Sequence, residues 1–216
     1  MQALFSMKNL CLTRDPANLA ALTSSGAIPL LVELLESSSS SPVQQISAEV
    51  LSHFALDAKN AVTIAAAGAI PPLVQLLGHG NPAGVQFNAS RALGGLAYDN
   101  DQNPLMFSLK ATIAAAGAIP PLVRLLGAGT AGRVRGNAVG VLCSLAENAA
   151  NKDAIAAAGA IPLLVNLLKP GSPAVAQFNA AGLLSILTHV AENCVIMVAA
   201  GAIPLVVQLL ELPSSA

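Results

Sequence analysis

The sequence predicts an all-α fold, a right-handed α-solenoid of tandem units with three helices in each. Three observations carry that prediction. The tetrapeptide Gly-Ala-Ile-Pro recurs five times, beginning at Gly26, Gly68, Gly117, Gly159 and Gly201. Successive copies lie 42, 49, 42 and 42 residues apart, and a unit of roughly 40–47 residues is the length of helical solenoid repeats. The 216 residues are 54% hydrophobic yet only 3% aromatic, with no Trp. A core of Ala, Leu, Ile and Val suits closely approaching helices better than a central cavity.

Each unit parses by ordinary start and stop signals. Between residues 60 and 97, Asn60 is the expected cap of a first helix running through Ala67. Gly68 ends it, because glycine takes the left-handed C′ conformation without steric cost. Pro71 and Pro72 then open a second helix, where a missing N–H is harmless. That helix carries Leu73, Val74, Leu76 and Leu77, and Gly78 to Gly80 breaks it. Asn81-Pro82 reads as a cap followed by proline at the first helical position. Ser172-Pro173 repeats that signal, Thr130 stands at the equivalent place, and Ser41-Pro42 follows a serine-rich loop. The third helix aligns Ala89, Ala92, Leu93, Leu96 and Ala97 along one side.

The segment "ALFSMKNLCL" reads as a third helix without its two predecessors, and the last segment reads as two helices without a third. The expected organisation is a single array: a partial repeat over 1–17, full repeats over 18–59, 60–102, 103–150 and 151–192, and a partial repeat over 193–216. Solenoids need polar caps, and neither end offers one. A fragment of a longer array, or a chain that associates end to end, is the expectation.

The stretches "AAAGAIPPLVQLLGHGNPAGVQFNASRALGGLA" and "AAAGAIPLLVNLLKPGSPAVAQFNAAGLLSIL" resemble the armadillo repeat family, nearest in flavour to vacuolar and plant ubiquitin-ligase-type scaffolds. The resemblance covers nearly the whole chain. It implies that the third helices line a concave groove holding extended peptides, and that peptide-binding members place Trp and, four residues on, Asn on each third helix. Matched to that pattern, the Trp column holds Phe5, Glu49, Arg91, Gly140 and Gly182, and the Asn column holds Asn9, His53, Gly95, Ser144 and Ile186. Three residues before the first column stand Gln2, Ile46, Asn88, Asn137 and Asn179. An amide donates and accepts, so a row of Asn can pair with a peptide backbone, or equally tie neighbouring helices together. Glycines at 140 and 182 leave the groove face bare. The candidate peptide groove is therefore Gln2, Phe5, Asn9, Glu49, His53, Asn88, Arg91, Asn137, Gly140, Ser144, Asn179 and Gly182.

The seven-residue insertion lies between Asp99 and Ala111. Seven residues are close to two helical turns, so a first helix prolonged backwards from Asn103-Pro104 is expected, with Met106, Phe107 and Leu109 packing on the neighbouring repeat.

Other function classes find little support. A net charge of −1 is a poor match to nucleic acid or an anionic membrane surface. Apolar runs such as 61–77 are interrupted by Gly68 and two prolines, short of the about 20 residues of a spanning helix, so no membrane insertion is expected. Cys11, Cys143 and Cys194 are isolated, which reads as free thiols in an intracellular compartment, cytoplasmic or nuclear. Gly127, Gly129 and Gly132 match G-x-G-x-x-G but follow a helix, whereas a dinucleotide fingerprint must follow a strand. No catalytic residue, cofactor or metal is expected. The function expected is a non-catalytic protein–protein interaction scaffold for an extended peptide; the alternative is a transport-receptor-like binder of basic localisation signals.

Overall fold

A helix that must stop and reverse within two residues needs a residue that tolerates positive φ, and that requirement shapes every repeat. In the computed structural model, which describes residues 1–13, 15–36, 39–98 and 104–211, Gly26, Gly68, Gly117, Gly159 and Gly201 have φ of 76, 83, 81, 82 and 81°. The Gly68 N–H bonds Ala65 O at 2.9 Å and the Ala69 N–H bonds Ile64 O at 3.2 Å, the paired bonds of a Schellman end. Gly117 and Ala118 repeat them on Ala114 and Ile113. The prolines that follow sit in the opening turn of the next helix.

Among the described residues there are fifteen α-helices and no strand. They are α1 (Gln2–Leu12); α2 (Pro16–Ser24), α3 (Ala27–Glu33) and α4 (Ser41–Phe54); α5 (Ala58–Ala66), α6 (Ile70–Leu76) and α7 (Ala83–Ala97); α8 (Pro104–Ala115), α9 (Ile119–Arg124) and α10 (Gly132–Leu145); α11 (Ala149–Ala157), α12 (Ala160–Leu167) and α13 (Ala174–Leu187); and α14 (Ala191–Ala199) with α15 (Ala202–Glu211). This is the expected order of one third helix, four triplets and a final pair. The chain groups into two compact units, Met1–Pro121 and Leu122–Ala216. In the first, α1 packs on α4 and α4 on α7; in the second, α10 packs on α13.

The core is the second helix buried under the third. Ile28, Leu31 and Leu35, Ile70, Leu73 and Leu77, Ile119, Leu122 and Leu126, and Ile161, Leu164 and Leu168 are all at most 4% exposed. Opposite them Phe54, Leu96, Leu145 and Leu187 are fully buried.

Several caps differ from expectation. Asp57, not Asn60, caps α5, its side chain accepting the Asn60 N–H at 3.0 Å. The third helices α4, α7, α10 and α13 have Ser40, Pro82, Ala131 and Pro173 at their N-caps, and none makes a side-chain cap bond. Asn81 instead turns back, its Nδ2 donating to Gln75 O and Leu76 O at 3.2 Å each. The reason is the shortness of the second helices. A helix of seven residues such as α6 ends with four carbonyls lacking intrahelical partners, and these lie within reach of the following segment. Gln44 and Gln177 serve the same end, donating to Leu35 O and Glu36 O and to Leu168 O and Lys169 O. Gln86 donates to Gly78 O at 3.0 Å. Arg135 holds this repeat position in α10 and donates to Thr130 O at 2.9 Å.

Asp99 to Asn103 of the insertion lie outside the described residues, as does the Met106 side chain. Helix α8 has 12 residues where α2, α5, α11 and α14 have nine, so the first helix is prolonged backwards. Leu109 is buried, but Phe107 is 50% exposed, because it stands 49 residues after Ala58, the exposed first residue of α5. Among the described residues no single helix is long and apolar enough to cross a membrane; α14 and α15 reach the length together only through an 82° bend.

Gly159→Ala puts a Cβ into the left-handed region and is expected to cost about 1–2 kcal/mol, read as a lower urea midpoint with unchanged slope.

Candidate functional site

The third helices carry the candidate groove residues, and their ends set the register. Helix α4 ends at C-cap Ala55 before N-cap Asp57, α10 at Ala146 before Asn148, and α13 at Thr188 before Val190. Helix α1 ends at Thr13 before Asp15, 42 residues ahead of the α4 pair. Met7 and Cys11 therefore occupy the positions of Glu49 and His53, not Phe5 and Asn9, which lie two residues earlier. Gln2, Phe5 and Asn9 are all exposed on α1.

Within Met1–Pro121 the predicted stripe faces a neighbouring helix more than solvent. Asn88 is 4% exposed, and its Nδ2 donates to Gln45 O across the α4–α7 contact at 3.0 Å. One turn on, Arg91 is half-buried. A Cβ on Gly95 would lie 2.8 Å from the Ala55 Cβ, so that glycine permits the close approach of α7 to α4. His53 is 6% exposed and lines a cleft of about 580 Å³ with Cys11, Leu19, Thr23, Asn60 and Thr63, apart from Arg91. Glu49 is half-buried and pairs with Lys8 at 3.1 Å, tying α4 to α1. A pair this near the surface is worth about 0–1 kcal/mol, but it occupies the one carboxylate of the column.

Within Leu122–Ala216 the same face is open. Asn137, Gly140 and Ser144 are half-buried along α10, Asn179 is half-buried on α13, and Gly182 is exposed. The Ser144 hydroxyl donates to Gly140 O at 3.4 Å. No atom lies within 4 Å of a Cβ built on Gly136, Gly140 or Gly182, so these glycines serve no close packing. Beside them Phe178 is 79% exposed and Val175 68%. Phe178 escaped the sequence reading, although it repeats Phe87 at two periods plus seven.

Two of the three thiols are held in the neutral form by their surroundings. Burial pushes Cys11 from 9.0 up to about 11; burial, and then the Glu147 carboxylate, does the same to Cys143. Among the described residues no group of three or more His, Cys, Asp or Glu could hold a metal ion.

A family model for the Armadillo/beta-catenin-like repeat matches residues 15–55, 57–98 and 148–189, more than half of the chain. No curated protein matches the sequence. Among solved structures, a designed armadillo repeat protein is 26% identical with a TM-score of 0.83, covering 99% of this chain and 87% of that one. A computationally designed armadillo repeat protein for modular peptide recognition is 26% identical with a TM-score of 0.83, over 96% of this chain and 84% of that one. A third design, in complex with the peptide (KR)4, is 24% identical with a TM-score of 0.82 over 99% and 86%; that likeness is one of fold.

The two kinds of helical glycine predict opposite responses. Gly95→Ala is expected to destabilise, because the backbone near Ala55 must move. Gly140→Ala is expected to stabilise by about 1 kcal/mol through helix propensity, and thermal unfolding separates the signs. The buried thiols predict a pH dependence. The unfolded chain releases these protons near pH 9 and the fold near 11, so above pH 9 the unfolded state binds fewer protons and stability falls. Urea unfolding from pH 8 to 10.5 is expected to show that decline, flattened in Cys11→Ala/Cys143→Ala.

Proposed function

The chain belongs to the armadillo/β-catenin-like repeat family, and from that premise we propose that it is a non-catalytic protein–protein interaction scaffold binding an extended peptide along its third-helix face. The observation that carries this reading is the open strip on α10 and α13, where Gly136, Gly140 and Gly182 leave space that no side chain fills. An extended backbone can lie close to helices that lack Cβ atoms there. Asn137 and Asn179 border the strip as donors and acceptors, and Phe178 supplies apolar surface. A structural relative designed for peptide recognition, at 26% identity, supports the class of ligand. Three free thiols suit an intracellular setting, cytoplasmic or nuclear.

The alternative, a binder of basic localisation signals, needs carboxylates on this face. Glu49 already pairs with Lys8, and α10 opens with Arg133 and Arg135. The (KR)4 ligand belongs to that other design.

A peptide-array screen followed by fluorescence anisotropy tests both readings. Gly140→Leu/Gly182→Leu fills the strip and is expected to weaken the selected peptide at least about tenfold, or 1.4 kcal/mol, without lowering the melting temperature. Unchanged affinity would remove the strip from the site. Tight, salt-sensitive binding of poly-lysine would favour the localisation-signal reading.

A further inference from the structure

Charge is segregated within the unit Leu122–Ala216. Between Leu122 and Ala200 the acidic residues are Glu147, Asp153 and Glu192. They stand in the turn after α10, on α11 and in the first turn of α14, where first helices follow third helices. Glu211 lies a repeat further on, at the end of α15. The edge where second helices lead into third helices is basic instead. Arg124 closes α9, Arg133 and Arg135 are the second and fourth residues of α10, and Lys169 follows α12. The backbone gathers these cations. The Gly127 N–H bonds Arg124 O at 3.1 Å, the Thr130 N–H bonds Gly127 O at 3.4 Å, and Arg135 Nη2 donates to Thr130 O at 2.9 Å. Arg124 and Arg135 therefore flank one compact turn. A Cβ on Gly132 would lie 3.8 Å from the Pro173 Cγ, which sets the loop carrying Lys169 beside the start of α10. Arg124, Arg133 and Lys169 are exposed, and Arg124, Arg135 and Lys169 form no ion pair among the described residues.

The fold does not require these charges. Arg124 stands where other repeats have Glu33, Gln75 and Asn166, Arg133 where they have Pro42, Gly84 and Val175, and Lys169 where they have Glu36, Gly78 and Gly127. Arg135 replaces Gln44, Gln86 and Gln177, whose neutral amides bond carbonyls at and just past the end of a second helix. The guanidinium adds a charge to that role, and its Nε–H is buried without a hydrogen-bond partner. A buried donor without an acceptor destabilises, and glutamine would not carry it.

From this cluster of uncompensated cations we infer that the edge docks an acidic, carboxylate-rich segment of a partner protein. Guanidinium groups take planar carboxylates through two parallel bonds, and clustered arginines are a recurrent means of reading acidic motifs. The linker from Gly127 to Gly132 holds only Gly, Ala and Thr. It has no aromatic ring to stack on a base and no bulky apolar side chain to enter a bilayer. The edge lies at the start of α10, beyond the glycine strip, and the proposal stands whether or not that strip is occupied.

Fluorescence anisotropy of the full chain with labelled poly-glutamate tests this. Wild type is expected to bind at low salt and to lose affinity steeply as salt rises. Arg124→Ala/Arg133→Ala/Lys169→Ala is expected to weaken binding at least about tenfold. Lys152→Ala removes a cation on α11, away from the edge, and is expected to change affinity less than about twofold. Arg135→Gln restores the amide of the other repeats and is expected to weaken binding without lowering the melting temperature. Gly140→Leu/Gly182→Leu fills the strip and is expected to leave poly-glutamate affinity unchanged, which separates this edge from the strip. The proposal is overturned by an absence of binding at low salt, or by a loss in Lys152→Ala or in the strip variant as large as in the triple variant. Tighter binding of single-stranded RNA or of phosphatidylserine vesicles than of poly-glutamate would overturn it equally.

Discussion

A glycine near φ +80° stands between the first and second helix of each repeat, and the rest of the geometry depends on it. The Schellman bonds it permits let one helix end and another begin within about two residues, so the second helix leaves at a steep angle instead of continuing the first. That angle turns the Ile-x-x-Leu row of the second helix onto the third. A Cβ at this one position would oppose the turn and, with it, the burial of the whole row. The shortness of the second helix follows, and so does its cost in unpaired carbonyls. Gln44, Gln86 and Gln177 offset that cost from the third helix, with Asn81 helping in one repeat.

Close approach of third helices is the second constraint. In the first unit α7 comes so near α4 that Gly95 has no room for a methyl group, and the buried Asn88 amide finds a main-chain carbonyl on the neighbouring helix. In the second unit Gly140 and Gly182 sit on the same helical stripe with empty space before them. Glycine at one repeat position therefore records packing, and at its neighbours it records an open surface. Only the latter is available to a ligand.

A binding role fits this division. The surface offers amides, an exposed phenylalanine and bare helix backbone, which suit the low charge and repetitive chemistry of an extended chain. Burial holds the Cys11 and Cys143 thiols protonated.

Fold class, helix order and the five glycine turns were legible in the sequence because each rests on local physics: backbone conformation at glycine, the missing N–H of proline, and a period repeated often enough to be unmistakable. The caps were less legible. Asn81 carries the right chemistry for an N-cap, but a side chain within reach of two helix ends goes to the one with more unpaired groups, and that depends on where the preceding helix stops. The site was least legible. A row of Asn reads the same whether it faces a peptide or a neighbouring helix, and Asn88 was settled only by the packing of α7 on α4. The register of α1, the burial of His53 and the exposure of Phe178 were likewise decided by tertiary structure. By itself the sequence determined what each repeat is; which of its faces meets another helix and which meets solvent depends on contacts 42 residues away, beyond the reach of any local signal.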